Sequence, residues 1–228
     1  MNGFNYNNLI KNAKGPEGEL LIRIFIKLYK HFGPQHWWPG DSPFEVCVGA
    51  ILTQNTSWKN VAKAIHNLKQ NNSLSPETLH NMAPELLADM IRPAGYFNIK
   101  AQRLKNFISV LVEEFDSDLD RLFQAGLDQT RERLLAIKGI GPETADSIIL
   151  YAGGLPTFVI DAYTKRILSR HNIIENNTTY DELRRLFMDS LPNDTALFNE
   201  YHALLVVLGK DFCRKTNPLC KTCPISGM

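Results

Sequence analysis

The stretch Leu135-Ala136-Ile137-Lys138-Gly139-Ile140-Gly141-Pro142-Glu143-Thr144-Ala145 sets a tight Gly-x-Gly turn between two helical patterns. Glycine permits positive φ and close backbone approach. The amides of Gly141 to Thr144 then open a helix, where unpaired N–H groups and the positive dipole end can hold a phosphate, with Lys138 adding one charge. The same residues also suit an ordinary connection between two helices, because short glycine motifs recur widely. Downstream, Pro156-Thr157-Phe158-Val159-Ile160 leads an apolar extended run into Asp161 at an expected helix start. Asp161 reads either as an N-cap or as a carboxylate held near a phosphate-gripping turn. Cys213, Cys220 and Cys223 cluster in the terminal segment, which suits metal or cluster ligation in a reducing compartment better than disulfides. Cys47 lies far away in an apolar run and reads as a small core residue.

The elements that must position these groups are helices. Leu21, Ile24, Phe25, Leu28 and Tyr29 keep helical spacing, as do Leu197, Tyr201, Leu204, Leu205 and Leu208. Further helical patterns run over 44–54, 57–70, 84–91, 99–114, 131–137, 144–151, 162–170 and 180–191. Turn signals separate them at Pro39-Gly40, Ser75-Pro76, Pro93-Ala94-Gly95, Gly153-Gly154 and Leu191-Pro192. Alternation of the strand kind is short and isolated, as at Thr157 to Ile160, so the class is all-α. With 228 residues, 44% hydrophobic and 21% charged, the chain can bury a substantial core and is not disordered. It has no apolar run of about 18 residues to span a bilayer, and polar residues stand in Met1 to Gly15 where a signal peptide needs an apolar core. A cytoplasmic, nucleoid-associated location is the expectation. The formal net charge of +1 gives no global footprint for a polyanion, so nucleic-acid binding must rest on local charge. Arg214, Lys215 and Lys221 supply it in the terminal segment, without an acid between Cys213 and Met228.

Leu135 to Tyr151, followed by Val159-Ile160-Asp161, resembles the helix-hairpin-helix and Gly/Pro-Asp signature of the endonuclease III superfamily of DNA glycosylases. Ala50-Ile51-Leu52-Thr53-Gln54-Asn55-Thr56 is similar to the family's early helix, whose glutamine enters the duplex. Gly95-Tyr96-Phe97-Asn98-Ile99-Lys100-Ala101 resembles the following helical entry. The resemblance covers almost the whole chain and implies two helical lobes: residues 34–155 as a six-helix barrel bearing the hairpin at 135–145, and residues 1–33 with 156–228 as a second lobe carrying the cysteine loop. The cleft between them is expected to hold Asp161 as the catalytic carboxylate. Gln54, Lys138, Gly139, Gly141 and Thr144 are the implied DNA contacts, and the implied partner is double-stranded damaged DNA, bound by a monomer.

The family's bifunctional members attack the sugar with a lysine at the start of the hairpin's second helix. At the matching position this chain has Glu143. A carboxylate cannot form an imine, so lyase activity is expected to be weak or absent. Trp37-Trp38-Pro39, Phe44-Glu45 and Ile91-Arg92-Pro93-Ala94-Gly95 look like the branch containing the Helicobacter-type 3-methyladenine DNA glycosylase. That resemblance implies a base pocket of Trp37, Trp38, Pro39, Trp58 and Lys210. Electron-rich indoles favour a cationic alkylated base by roughly 0.5–2 kcal/mol, although paired tryptophans also serve as packing. The expected function is monofunctional excision of alkylated purines in base excision repair. The alternatives are an endonuclease III-like glycosylase for oxidised pyrimidines or mismatches, and a non-catalytic hairpin DNA-binding module. The spacing Cys213-x6-Cys220-x2-Cys223 is similar to the family's [4Fe-4S] loop, whose fourth cysteine would fall one position beyond Met228. Either the sequence stops short of that ligand, or the three cysteines remain as a zinc site or a relic.

Overall fold

The computed structural model describes residues 4–228. In chain order its α-helices are α1 (Tyr6–Asn12), α2 (Gly15–Phe32), α3 (Pro43–Leu52), α4 (Trp58–Gln70), α5 (Pro76–Asn81), α6 (Pro84–Met90), α7 (Phe97–Phe115), α8 (Leu119–Phe123), α9 (Leu127–Leu135), α10 (Pro142–Ser147), α11 (Ala162–Arg170), α12 (Tyr180–Ser190) and α13 (Thr195–Asp211). A π-helical turn, Ile148–Ala152, continues α10, and short 3-10 turns lie at Arg92–Ala94 and Cys220–Thr222. Among the described residues there is no strand, so the all-α class stands. The chain divides into two compact units, Trp38–Leu155 and the N-terminal segment through Trp37 together with Pro156–Met228.

Local chemistry starts most of these helices. Ser42, Ser75, Asp161 and Asp194 each accept a hydrogen bond from a backbone N–H in the first turn they cap. Thr179 and Glu182 complete a capping box on α12. Proline occupies the first turn of α3, α5, α6 and α10, where its missing N–H costs nothing. The Ser75-Pro76 turn signal is therefore the cap and first residue of α5. In the same way, α9 begins at Leu127, four residues before the apolar spacing shows it, because Gly126 opens it with positive φ.

In the Trp38–Leu155 unit, α3 is buried from Phe44 through Leu52 and packs against α4, α7, α10 and the π turn. In the other unit, α13 has the central place, packed on α2 and α11. The rings of Phe158 and Phe187 stack there at 3.7 Å, and the Tyr201 hydroxyl donates to Leu21 O at 2.8 Å. The Thr157–Ile160 segment is buried extended chain without a ladder partner among the described residues; it delivers Asp161 to the start of α11.

Candidate active site

The hairpin turn between α9 and α10 is held by apolar anchors and a close backbone approach. Ile137 and Ile140 are buried, and the Ile140 amide donates to Ile137 O at 3.0 Å. Gly139 has φ +101°, and a Cβ built there would stand 2.3 Å from Cγ of Arg103. Only glycine satisfies both conditions. Lys138 and Gly141 are exposed, and open space lies where a Gly141 side chain would be. Thr144 is different: its hydroxyl is buried and accepts from Gln54 Nε2 at 2.9 Å. Gln54 Nε2 also approaches Gly139 O at 3.2 Å, and Arg103 donates to Gln54 Oε1. The structure thus brings Gln54, Gly139 and Thr144 together through the Gln54 amide, which is held in turn by Arg103, a residue the sequence reading missed. Its partners are distant in sequence and leave no local pattern.

Lys100 supports the same loops from within. It is 1% exposed, and its ammonium donates to Leu52 O at 2.9 Å, at the end of α3, and to Ala94 O at 2.7 Å. Burial first, and the Arg103 charge second, lower its pKa from 10.5 to about 8. Tyr96, next to that turn, is 69% exposed in a left-handed backbone conformation, φ +46°, that a bulky residue rarely adopts.

Asp161 caps α11, its Oδ1 accepting from the Thr164 amide at 2.7 Å. Oδ2 lies 3.7 Å from His202 Nε2 on α13. The carboxylate is 12% exposed, enough for contact with a ligand or water. Burial pushes its pKa up, but His202 and the Thr164 amide outweigh that and hold it below the usual carboxylate value. Asp161 is therefore an anion at neutral pH. His202 was not legible as a site residue, since it interrupts an apolar helix face as a satisfied core histidine would.

Trp38 and Trp58 meet edge to face at 5.2 Å, and Tyr151, carried by the π turn, tilts against Trp38 at 5.2 Å. Gly49 makes room for both indoles, which lie 3.2 Å and 3.4 Å from its virtual Cβ. Pro39 beside them is exposed. Trp37 and Lys210 belong to the other unit, Trp37 half-buried and Lys210 exposed in the last turn of α13. Glu143 is exposed in the first turn of α10.

Cys213, Cys220 and Cys223 line one cavity of about 290 Å³ together with Arg170 and His171. Cys213 is buried, Cys223 half-buried and Cys220 exposed. Arg170 donates to Cys213 Sγ at 3.4 Å. Burial, followed by the neighbouring Cys213 and Cys220, raises the Cys223 thiol pKa. Soft sulfur donors suit iron or zinc, but among the described residues no three His, Cys, Asp or Glu close to metal-holding geometry. The residues present do not by themselves complete a [4Fe-4S] ligand set, which takes four thiolates.

Residues 48–193 match the model of the HhH-GPD superfamily base excision DNA repair proteins. The chain belongs to that superfamily. A candidate DNA repair glycosylase of Methanocaldococcus jannaschii is 46% identical over 209 residues, covering 91% of this chain and 94% of that protein. The Helicobacter pylori 3-methyladenine DNA glycosylase, solved with bound 1,N6-ethenoadenine, superposes with a TM-score of 0.72 at 29% identity, over 84% of this chain and 96% of that one. A non-covalent endonuclease III–DNA complex superposes with a TM-score of 0.77 at 19% identity, over 90% and 92% of the two chains, which shows the shared fold. As an HhH-GPD protein the chain is a base excision repair DNA glycosylase.

Proposed function

We propose that this glycosylase is monofunctional and hydrolyses the N-glycosidic bond of alkylated purines such as 3-methyladenine in double-stranded DNA, acting as a monomer on nucleoid DNA in the cytoplasm. The observation that carries the reading is an ionised, partly exposed Asp161 in a chain with Glu143 at the start of the hairpin's second helix. Likeness to the Helicobacter pylori enzyme supports the substrate class.

The chemistry follows from these groups. The damaged nucleotide is extruded from the stack, at a cost of a few kcal/mol. As the C1′–N bond breaks, the base leaves with the bonding pair, and Asp161 stabilises the positive charge that develops on the sugar. Asp161 then takes a proton from the water that adds to C1′. A base alkylated on a ring nitrogen is cationic and leaves neutral, so little acid assistance is needed. The Trp38–Trp58 pair offers π faces to such a ring, with Pro39 as an apolar neighbour. The turn at Lys138, Gly139 and Gly141, exposed at Lys138 and Gly141, grips phosphate with the backbone of Thr144 without reading sequence. Gln54 leaves its hairpin bonds to fill the vacated space. No step uses an amine at position 143, so strands break only after alkali.

Single-turnover assays on duplexes carrying 3-methyladenine or thymine glycol, with wild type and Asp161→Asn, test this. Asn keeps the cap on Thr164 but not the charge, so DNA binding survives while excision falls at least ~100-fold. Near-normal excision by Asp161→Asn refutes the assignment, and release of thymine glycol alone refutes the substrate class.

A further inference from the structure

His202 sits in the buried middle of α13, its side chain 6% exposed, and turns Nε2 toward Asp161 Oδ2 at 3.7 Å. The other carboxylate oxygen accepts from the Thr164 amide at 2.7 Å. With one oxygen fixed to the helix end and the other facing the imidazole, rotation of the carboxylate is defined. A carboxylate this largely buried stays ionised only if donors face it. The nitrogen facing Asp161 carries a proton in the Nε2–H tautomer and in the imidazolium alike, so either form favours the anion. Burial raises the Asp161 pKa, and His202 is the largest influence bringing it down again.

Other ionisable groups on the helices around this pair are engaged elsewhere or exposed. On α11, Lys165 donates to Thr178 O, and Arg166 donates to the carbonyls of Gly209 and Cys213. On α13, Glu200 accepts from the Gln35 amide and Lys210 is exposed. The charged residues of α2 are exposed, and Tyr29 there feels the charge of Glu200. From α12, the Tyr180 hydroxyl meets the Ile160 amide at 3.4 Å.

We propose that His202 is a positioning residue that acts through Asp161, fixing the carboxylate's orientation and keeping it an anion as the glycosidic bond breaks. This rests on the reading of Asp161 as the catalytic carboxylate. The pair itself is testable without activity.

In protein labelled with 13C at aspartate carboxyl carbons, Asp161→Asn identifies the Asp161 signal, and its titration is compared in wild type and His202→Gln. The expected result is a midpoint moved to higher pH in His202→Gln, with the single-turnover rate down at least ~10-fold, a scale typical of groups that orient a reacting residue. Affinity for the lesion duplex stays within about twofold, because no DNA contact is removed. An unmoved midpoint overturns the proposal. So does a moved midpoint with an unchanged rate while Asp161→Asn is inactive. If Asp161→Asn itself excises normally, the catalytic reading of Asp161 fails, whatever the titration shows. Should His202→Gln fold poorly, the Asp161 titration and the single-turnover rate are taken in His202→Phe, which keeps a buried ring and removes the nitrogen that faces Oδ2. An unmoved Asp161 midpoint in that variant overturns the pairing.

Discussion

Replacing Lys100 by Met keeps side-chain length and removes an ammonium buried at 1% exposure beneath the Gln54 and Tyr96 loops. In the folded protein Lys100 loses its proton near pH 8, whereas in the unfolded chain it holds it to 10.5. Between those values the unfolded state binds more protons, so the contribution to stability rises with pH; below about 8 the full cost of burying the charge is present. The neutral amine retains two N–H groups, matching the two carbonyls of Leu52 and Ala94, so deprotonation removes the charge without breaking either bond. Evaluated between about pH 7 and about pH 9.5, a lowering of this size is worth about 2 kcal/mol. Lys100→Met lifts the cost of the charge but leaves two buried carbonyls without a donor, each costing about 1–3 kcal/mol, so near neutral pH these effects largely oppose each other. The expected result is a small destabilisation near pH 7 that grows by about 2 kcal/mol near pH 9.5. Urea unfolding of wild type and variant across this range measures it, the difference between the two curves cancelling other groups that titrate in common. Parallel curves would refute the reasoning, because they would mean Lys100 keeps its ordinary proton affinity inside the fold.

Gly139→Ala adds a methyl 2.3 Å from Cγ of Arg103 in a backbone with φ +101°; the strain and forced displacement together amount to about 2–4 kcal/mol. Melting and DNA-affinity measurements should both fall, with Arg103→Ala in the same chain recovering the steric part; a Gly139→Ala protein as stable and as tightly bound as wild type excludes this packing.

The sequence was most informative where local chemistry dictates structure. Helix α11 runs over Ala162–Arg170 as its pattern predicts, because the cap at Asp161 and the apolar spacing that follows are both local. The Gly139 turn was legible for the same reason: a glycine between two apolar helical patterns has few other uses. Helices α5 and α8 were not legible, since six and five residues are too few to display a period, and their stability comes from packing on α7. The π turn at Ile148–Ala152 reads as plain helix in sequence, yet it carries Tyr151 onto Trp38.

Residue types and spacing alone determined the all-α class, the hairpin, the carboxylate after it and the thiol cluster. The tertiary structure decided which distant side chains meet those groups: Arg103 on Gln54, Lys100 on the carbonyls of Leu52 and Ala94, and His202 on Asp161. Propensity and periodicity act over a few residues, so they specify elements. The ionisation of Asp161 and the orientation of Gln54 depend on groups many residues away, and distance in space is set only when the helices pack.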